Sequence, residues 1–243
     1  MMKAKMLIVT ALLFSLSTTV HAYEETQSRN FKLTATGTFD LANINGDIIL
    51  STHREEIVAI EATKRADSKA EADAVEIVFT HEPGHLKVSI KRHCKRCNVR
   101  VNFRIRIPEK LGSTSLGSVN GRIDAQGGFA KLKARSVNGR LNFRGYTSEG
   151  SFSAVNGKIM VSLKERLTGD ISLESVNGSI QLEIPDGSSF SFRGSTLNGS
   201  VRSDFPVKIK RGIIGQKVTG SVNGDTFDVK IKTVNGSIRL LKI

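Results

Sequence analysis

Eight times along the chain an aliphatic residue is followed by Asn-Gly, and this repeat constrains the fold more than any other feature. The asparagines are Asn45, Asn120, Asn138, Asn156, Asn177, Asn198, Asn223 and Asn235, separated by 75, 18, 18, 21, 21, 25 and 12 residues. The residue before each is Ile44, Val119, Val137, Val155, Val176, Leu197, Val222 or Val234, and the one before that is always small or polar. Asn-Gly tolerates positive φ, so each pair is expected to make a tight turn between extended segments. Aliphatics return three residues past the Asn at Ile48, Ile123, Leu141, Ile159, Ile180, Val201 and Ile238, with Thr226 the exception. Between the turns, stretches such as Phe129-Ala130-Lys131-Leu132-Lys133-Ala134 alternate as strands with one buried face do. A unit of short strands and turns cannot bury its apolar face alone, so it must stack on its neighbours at about 4.8 Å per coil. The expected fold is all-β: a single-chain parallel β-solenoid, or β-helix, of Asn-Gly coils roughly 20 residues long. An immunoglobulin-like sandwich would not place Asn-Gly at the same phase in successive units. A meander of hairpins is the stronger rival, and the short last spacing suits a hairpin-like cap.

The chain before the repeats reads differently. Residues 23–110 are expected to form a β-rich cap, with strand-like stretches at Phe31-Lys32-Leu33, Ile57 to Ile60, Leu86 to Lys91 and Val99 to Ile107. Asp67 to Ala74 carries a capping residue and good helix formers, which predicts one short helix. Residues 111–243 are the solenoid repeats, continuous with the cap. Ahead of both, Met1 to Ala22 reads as a signal peptide. It has Lys3 and Lys5, an apolar run from Met6 to Leu16, and small residues around a cleavage point after Ala22. An eleven-residue run is too short to span a bilayer, so an exported protein, periplasmic or secreted and not membrane-embedded, is expected. Cleavage removes 22 residues and two lysines, leaving +11 of the chain's +13.

An early Ile44-Asn45-Gly46-Asp47-Ile48, a short helix, a strand Val101 to Pro108 and a train of Val-Asn-Gly-x-Ile units together resemble the bacterial putative-adhesin family. The resemblance covers nearly all of the mature chain. It implies a stacked β-solenoid of the cell envelope and brings no catalytic residues with it.

Cys94 and Cys97 are the only cysteines, and in an exported chain a local disulfide at a hairpin tip is their simplest use. A redox pair, favoured by His93, Lys95 and Arg96, would want a helix N-terminus and a thioredoxin-like βαβ setting. His81 and His85 with His93 and the cysteines have zinc-ligand chemistry. An intervening strand would hold the two groups about 25–30 Å apart, so no metal site is expected, although His93 with reduced cysteines would offer three ligands. No cofactor is implied.

Charge is the strongest remaining signal. From Lys87 to Lys110 there are nine basic residues and one acid. Alternation puts Arg100, Arg104 and Arg106 on one outer face, with Lys87 and Lys91 expected to point the same way. The residue after Asn-Gly is Arg122, Arg140 and Lys158 in three successive coils, and stacked side chains of one sign repel. An anionic polymer would relieve that repulsion; basic residues also blunt sheet edges and aid solubility. Guanidinium groups suit phosphate and sulfate. The expected partners are therefore lipopolysaccharide, teichoic acid, anionic lipid or sulfated glycan, with intracellular nucleic acid excluded by export. Catalysis has little support. Asp47 and Asp225 are far apart in repeat order, Asp124 and Asp228 look isolated, and no His follows His93. The reading is a non-catalytic, adhesin-like envelope protein. A self-assembling structural protein and, further off, a polysaccharide-active enzyme are the alternatives.

Overall fold

A computed structural model describes residues 23–109, 111–212 and 215–243. The expected signal segment, Met1 to Ala22, and Lys110 at the end of the expected cap lie outside the described residues. In chain order the strands are β1 (Tyr23–Lys32), β2 (Thr38–Asn45), β3 (Ile48–His53), β4 (Ile57–Ala66), β5 (Val75–Glu82), β6 (His85–Arg92), β7 (Arg100–Pro108), β8 (Ser113–Asn120), β9 (Ile123–Asn138) and β10 (Leu141–Asn156). They continue as β11 (Ile159–Leu163), β12 (Ile171–Asn177), β13 (Ile180–Ile184), β14 (Phe190–Asn198), β15 (Val201–Ser203), β16 (Lys208–Arg211), β17 (Gln216–Val222), β18 (Phe227–Asn235) and β19 (Ile238–Lys242). One helix, α1 (Lys69–Asp73), is capped by the Ser68 side chain, which accepts from the Glu71 amide. The chain is all-β, as expected.

The nineteen strands of the described residues form one continuous sheet that winds into two flanks around a shared core. The first flank runs β5-β6-β2-β8-β9-β10-β12-β18-β14-β17-β16. The second runs β1-β4-β7-β3-β9-β10-β11-β13-β19-β15. Strands β9 and β10 are 16 residues long and serve both flanks. Alternation sends Phe39, Phe103, Phe129, Phe152, Phe190 and Phe192 into the core. The rings of Phe129, Phe143 and Phe152 pack in series, with centroids 5.7 and 5.5 Å apart.

The Asn-Gly pairs make one corner of the winding, where seven of the eight asparagines form a side-chain ladder. Each carboxamide donates to the next oxygen: Asn120 to Asn45, Asn138 to Asn120, Asn156 to Asn138, Asn177 to Asn156, Asn235 to Asn177 and Asn198 to Asn235, at 2.7–2.9 Å. Stacked Asn side chains in register add hydrogen bonds to those of the backbone ladder. The small polar residue two before the Asn is buried, and Ser136, Ser175, Thr233 and Thr196 donate to a glycine carbonyl of the adjoining coil.

Three features depart from the sequence reading. First, stacking does not follow chain order. The last coil, β18–β19, lies between β12–β13 and β14–β15, pairing in parallel with both. Second, the ladder glycines are not there for positive φ, which among them only Gly46 adopts. A Cβ on Gly139 or Gly157 would lie 1.9 or 2.0 Å from the carbonyl oxygen of the glycine one coil away, so close backbone approach is the requirement. Asn223-Gly224, with φ of 51° and 107°, does turn through positive φ, and it stands outside the ladder, its amide donating to Ser188 O. Third, pairing is not all parallel. β1–β4, β4–β7 and β5–β6 near one end and β14–β17 and β16–β17 near the other are antiparallel.

Candidate anion-binding face and apolar groove

Immediately past the Asn-Gly corner, backbone hydrogen bonds place Asp47, Arg122, Arg140, Lys158, Ser179, Ser237 and Ser200 in one row along the stack. Arg122 is neutralised, its guanidinium lying 3.4 Å from Asp47 and 2.9 Å from Asp124. Among the described residues Arg140 and Lys158 form no ion pair. They are adjacent rungs on parallel strands, about 4.8 Å apart at the backbone, with their charges uncompensated.

The same outer surface of the second flank carries the arginines of β7. Arg104 stands between Ile49 and Glu61, and Arg106 between Ser51 and Ala59. Arg100 faces Arg65, which is paired with Glu24 at 2.9 Å. Arg144, absent from the sequence-based candidates, projects from β10 between Gln126 and Ser162. Lys87 and Lys91 do not join this group. They lie on β6, which pairs with β2 in the first flank, whereas β7 pairs with β3 in the second. Sequence neighbours need not be sheet neighbours, because the Cys94–Cys97 connection carries the chain from one flank to the other beside the Asn45 corner. Charges farther apart than the Debye length of about 10 Å are largely screened. Lys87→Glu with Lys91→Glu should therefore change polyanion affinity less than about threefold in a binding titration.

Cys94 and Cys97 are joined as a disulfide, and an Arg92 guanidinium nitrogen donates to Cys97 O at 3.0 Å. His93 and His81 sit at opposite ends of the β5–β6 hairpin, His93 3.6 Å from Glu76 and His81 against Lys32 O. Among the described residues no three His, Cys, Asp or Glu side chains gather as a metal site would require.

Asp124 is not isolated from other carboxylates, contrary to the sequence reading. Asp124 meets Asp47 through Arg122. Asp228 accepts from the Ser191 hydroxyl and from Arg193 at 3.0 and 3.1 Å. The Ser191 hydrogen bond foremost, then Arg193, holds its carboxyl below the usual range. A depressed pKa contributes stability that is present above the ordinary carboxylate value and is lost as pH falls through the folded-state value. Asp228→Asn should lower Tm at neutral pH, and the gap to the native protein should close on acidification in a melting series.

On the first flank's side of the corner lies a feature the sequence reading did not single out. Val119, Val137, Val155, Val176 and Leu197 are 40–50% exposed and, with half-buried Val234, form a continuous aliphatic row beside the Asn ladder. They border a groove of about 860 Å³ whose other wall includes Gly117, Arg135, Ser153, Glu174, Lys232 and Ser195. Contiguous exposed apolar surface of this kind marks interaction sites. The signal was present in the sequence: if Ser118, Ser136 and Ser175 face inward, alternation turns the following valine outward.

The family model Toastrack DUF4097 matches residues 23–241. No curated protein matches the chain. Similar solved structures include a putative cell adhesion protein from Clostridium sporogenes, 11% identical, covering 91% of this chain and 100% of that one with a TM-score of 0.47. A putative adhesin from Bacteroides fragilis is 12% identical over 90% of this chain and 97% of that one, with a TM-score of 0.39. A putative lipid binding protein from Parabacteroides distasonis is 13% identical over 90% and 96%, with a TM-score of 0.28.

Proposed function

The chain belongs to the Toastrack DUF4097 family, and from that premise we propose that it is an exported, non-catalytic, adhesin-like protein of the cell envelope that binds an anionic polymer through the outer face of its second flank. The observation that carries this reading is the pair Arg140 and Lys158, adjacent in the stack and without ion-pair partners, with Arg104, Arg106 and Arg144 on the same surface. A polymer with repeating phosphate or sulfate groups would bridge the rungs and remove their repulsion, and guanidinium groups hold such anions bidentately. Export rests on the signal-like Met1 to Ala22. Assembly through end strands is disfavoured by Lys208, Lys210 and Arg211 along the outermost strand β16, since charge on an edge discourages pairing.

The test is binding of the mature chain to lipopolysaccharide, heparin and anionic vesicles across a salt series. By analogy with counterion release on nucleic acids, log K should fall linearly with log salt, steeply for one polymer and weakly for the others. Equal, weak binding to all three would mean that the positive charge serves solubility alone.

A further inference from the structure

The aliphatic row at the corner is not used by the polymer-binding reading, and its surroundings define what it fits. It runs Val119, Val137, Val155, Val176, Val234, Leu197 in stack order, about 24 Å from end to end at one residue per strand spacing. Every carboxamide of the neighbouring Asn ladder is engaged with the next rung, and the strands beneath are paired on both sides. A peptide laid along the row would leave its own backbone groups unpaired. A second copy of the chain, docked symmetrically, would gather the Arg135, Lys217 and Lys232 of both groove walls into one interface with only Glu174 of each to offset them. A hydrocarbon chain has no polar groups to satisfy, and the walls, with Arg135, Lys217 and Lys232 against the single carboxylate of Glu174, favour a negative molecule.

The row is also directional. Past the ladder, the rungs level with Val137 and Val155 carry Arg140 and Lys158, whereas those level with Val176, Val234 and Leu197 carry the neutral Ser179, Ser237 and Ser200; on the groove side Lys217 and Lys232 flank Ser195 near Leu197, so the direction is set on the ladder side alone. From Val155 to Leu197 is three strand spacings, about 15 Å, the depth of one leaflet in a hydrocarbon core of about 30 Å.

From these observations we infer that the row holds the extended acyl chain of one anionic lipid, its tail over Val155, Val176, Val234 and Leu197 and its headgroup on Arg140 and Lys158. The headgroup end rests on the anion-binding reading above; the acyl end does not.

The test is displacement of a fluorescent fatty acid from the mature protein by a long-chain fatty acid, a single-chain lysophosphatidic acid and the neutral primary alcohol of equal length, all below micelle-forming concentrations. Saturable uptake of one acid per chain is expected, about tenfold weaker for the alcohol, and the tighter of the two acids identifies the headgroup. Val155→Thr with Val176→Thr and Leu197→Thr should weaken acid uptake at least about tenfold, with melting temperature and heparin binding unchanged. Arg140→Glu with Lys158→Glu should bring the acids down to the alcohol. No saturable uptake, equal uptake by the threonine variant, or a concentration-dependent dimer that the threonine variant abolishes would overturn the assignment. Heparin binding without acyl binding would sink this inference and leave the polymer reading standing; the reverse result would do the opposite.

Discussion

Gly139→Ala should lower the melting temperature by roughly 10–20 °C. The added Cβ would lie 1.9 Å from Gly121 O and 2.9 Å from the Ser136 hydroxyl. The carbonyl oxygen belongs to a backbone already committed to the adjoining coil, since the Gly121 amide donates to Asn138 O. Nothing flexible stands in the way to yield, so the coils must separate, breaking the amide ladder on both sides of Asn138. Losses of about 4–5 kcal/mol are reserved for such events, and in a chain of this size each kcal/mol is worth about 2–4 °C. Gly84→Ala is the control. Gly84 has φ of +76° with nothing within 4 Å of an added Cβ, so only backbone strain of about 1–2 kcal/mol is at stake. Thermal melts followed by circular dichroism decide between the two. If Gly84→Ala proved the more damaging, turn conformation rather than close stacking would be what the repeat glycines supply.

Arg140→Glu combined with Lys158→Glu should weaken polyanion binding by roughly two to four orders of magnitude at low salt. Each charge-assisted contact is worth about 1.5–3 kcal/mol, and about 1.4 kcal/mol corresponds to tenfold in affinity. Both side chains are solvent-facing, so the circular dichroism spectrum should stay unchanged. The salt dependence carries the sharper signature: losing two anionic contacts should reduce the slope of log K against log salt by about two. Arg100, Arg104 and Arg106 changed together to Glu is a weaker probe than the sequence alone suggests, because Arg104 lies beside Glu61. An unchanged slope in the Arg140/Lys158 variant would move the anion site off this face.

Much of this architecture is legible in the amino-acid sequence. Period-two alternation identified the inward residues of β7 and the repeats, and recurrence of Asn-Gly identified the corner where coils meet. The stacked trio Arg122, Arg140 and Lys158 followed from phase alone, and the structure puts them in one row. The outward valines were equally legible, since buried Ser118, Ser136 and Ser175 fix the side on which the next residue falls. An aliphatic residue beside a turn, however, is ordinarily a core residue, which masks this signal.

Other features had no local signature. Val234-Asn235-Gly236 is indistinguishable in sequence from Val176-Asn177-Gly178, yet it occupies the slot between that rung and Leu197-Asn198-Gly199 and not the end of the stack. Which rung lies next to which is a matter of pairing between strands 37 and 58 residues apart, and a repeat with equivalent edges offers equal local hydrogen bonds in any order. Long-range pairing likewise placed β6 and β7 in different flanks, separating Lys87 and Lys91 from the arginines of β7, and joined Asp47 to Asp124 through Arg122. Local chemistry determined what each rung presents to the core, to the ladder and to solvent. The tertiary structure alone decided the order of the rungs, because that order depends on which long-range pairings close both flanks at once, and so on which charges stand side by side.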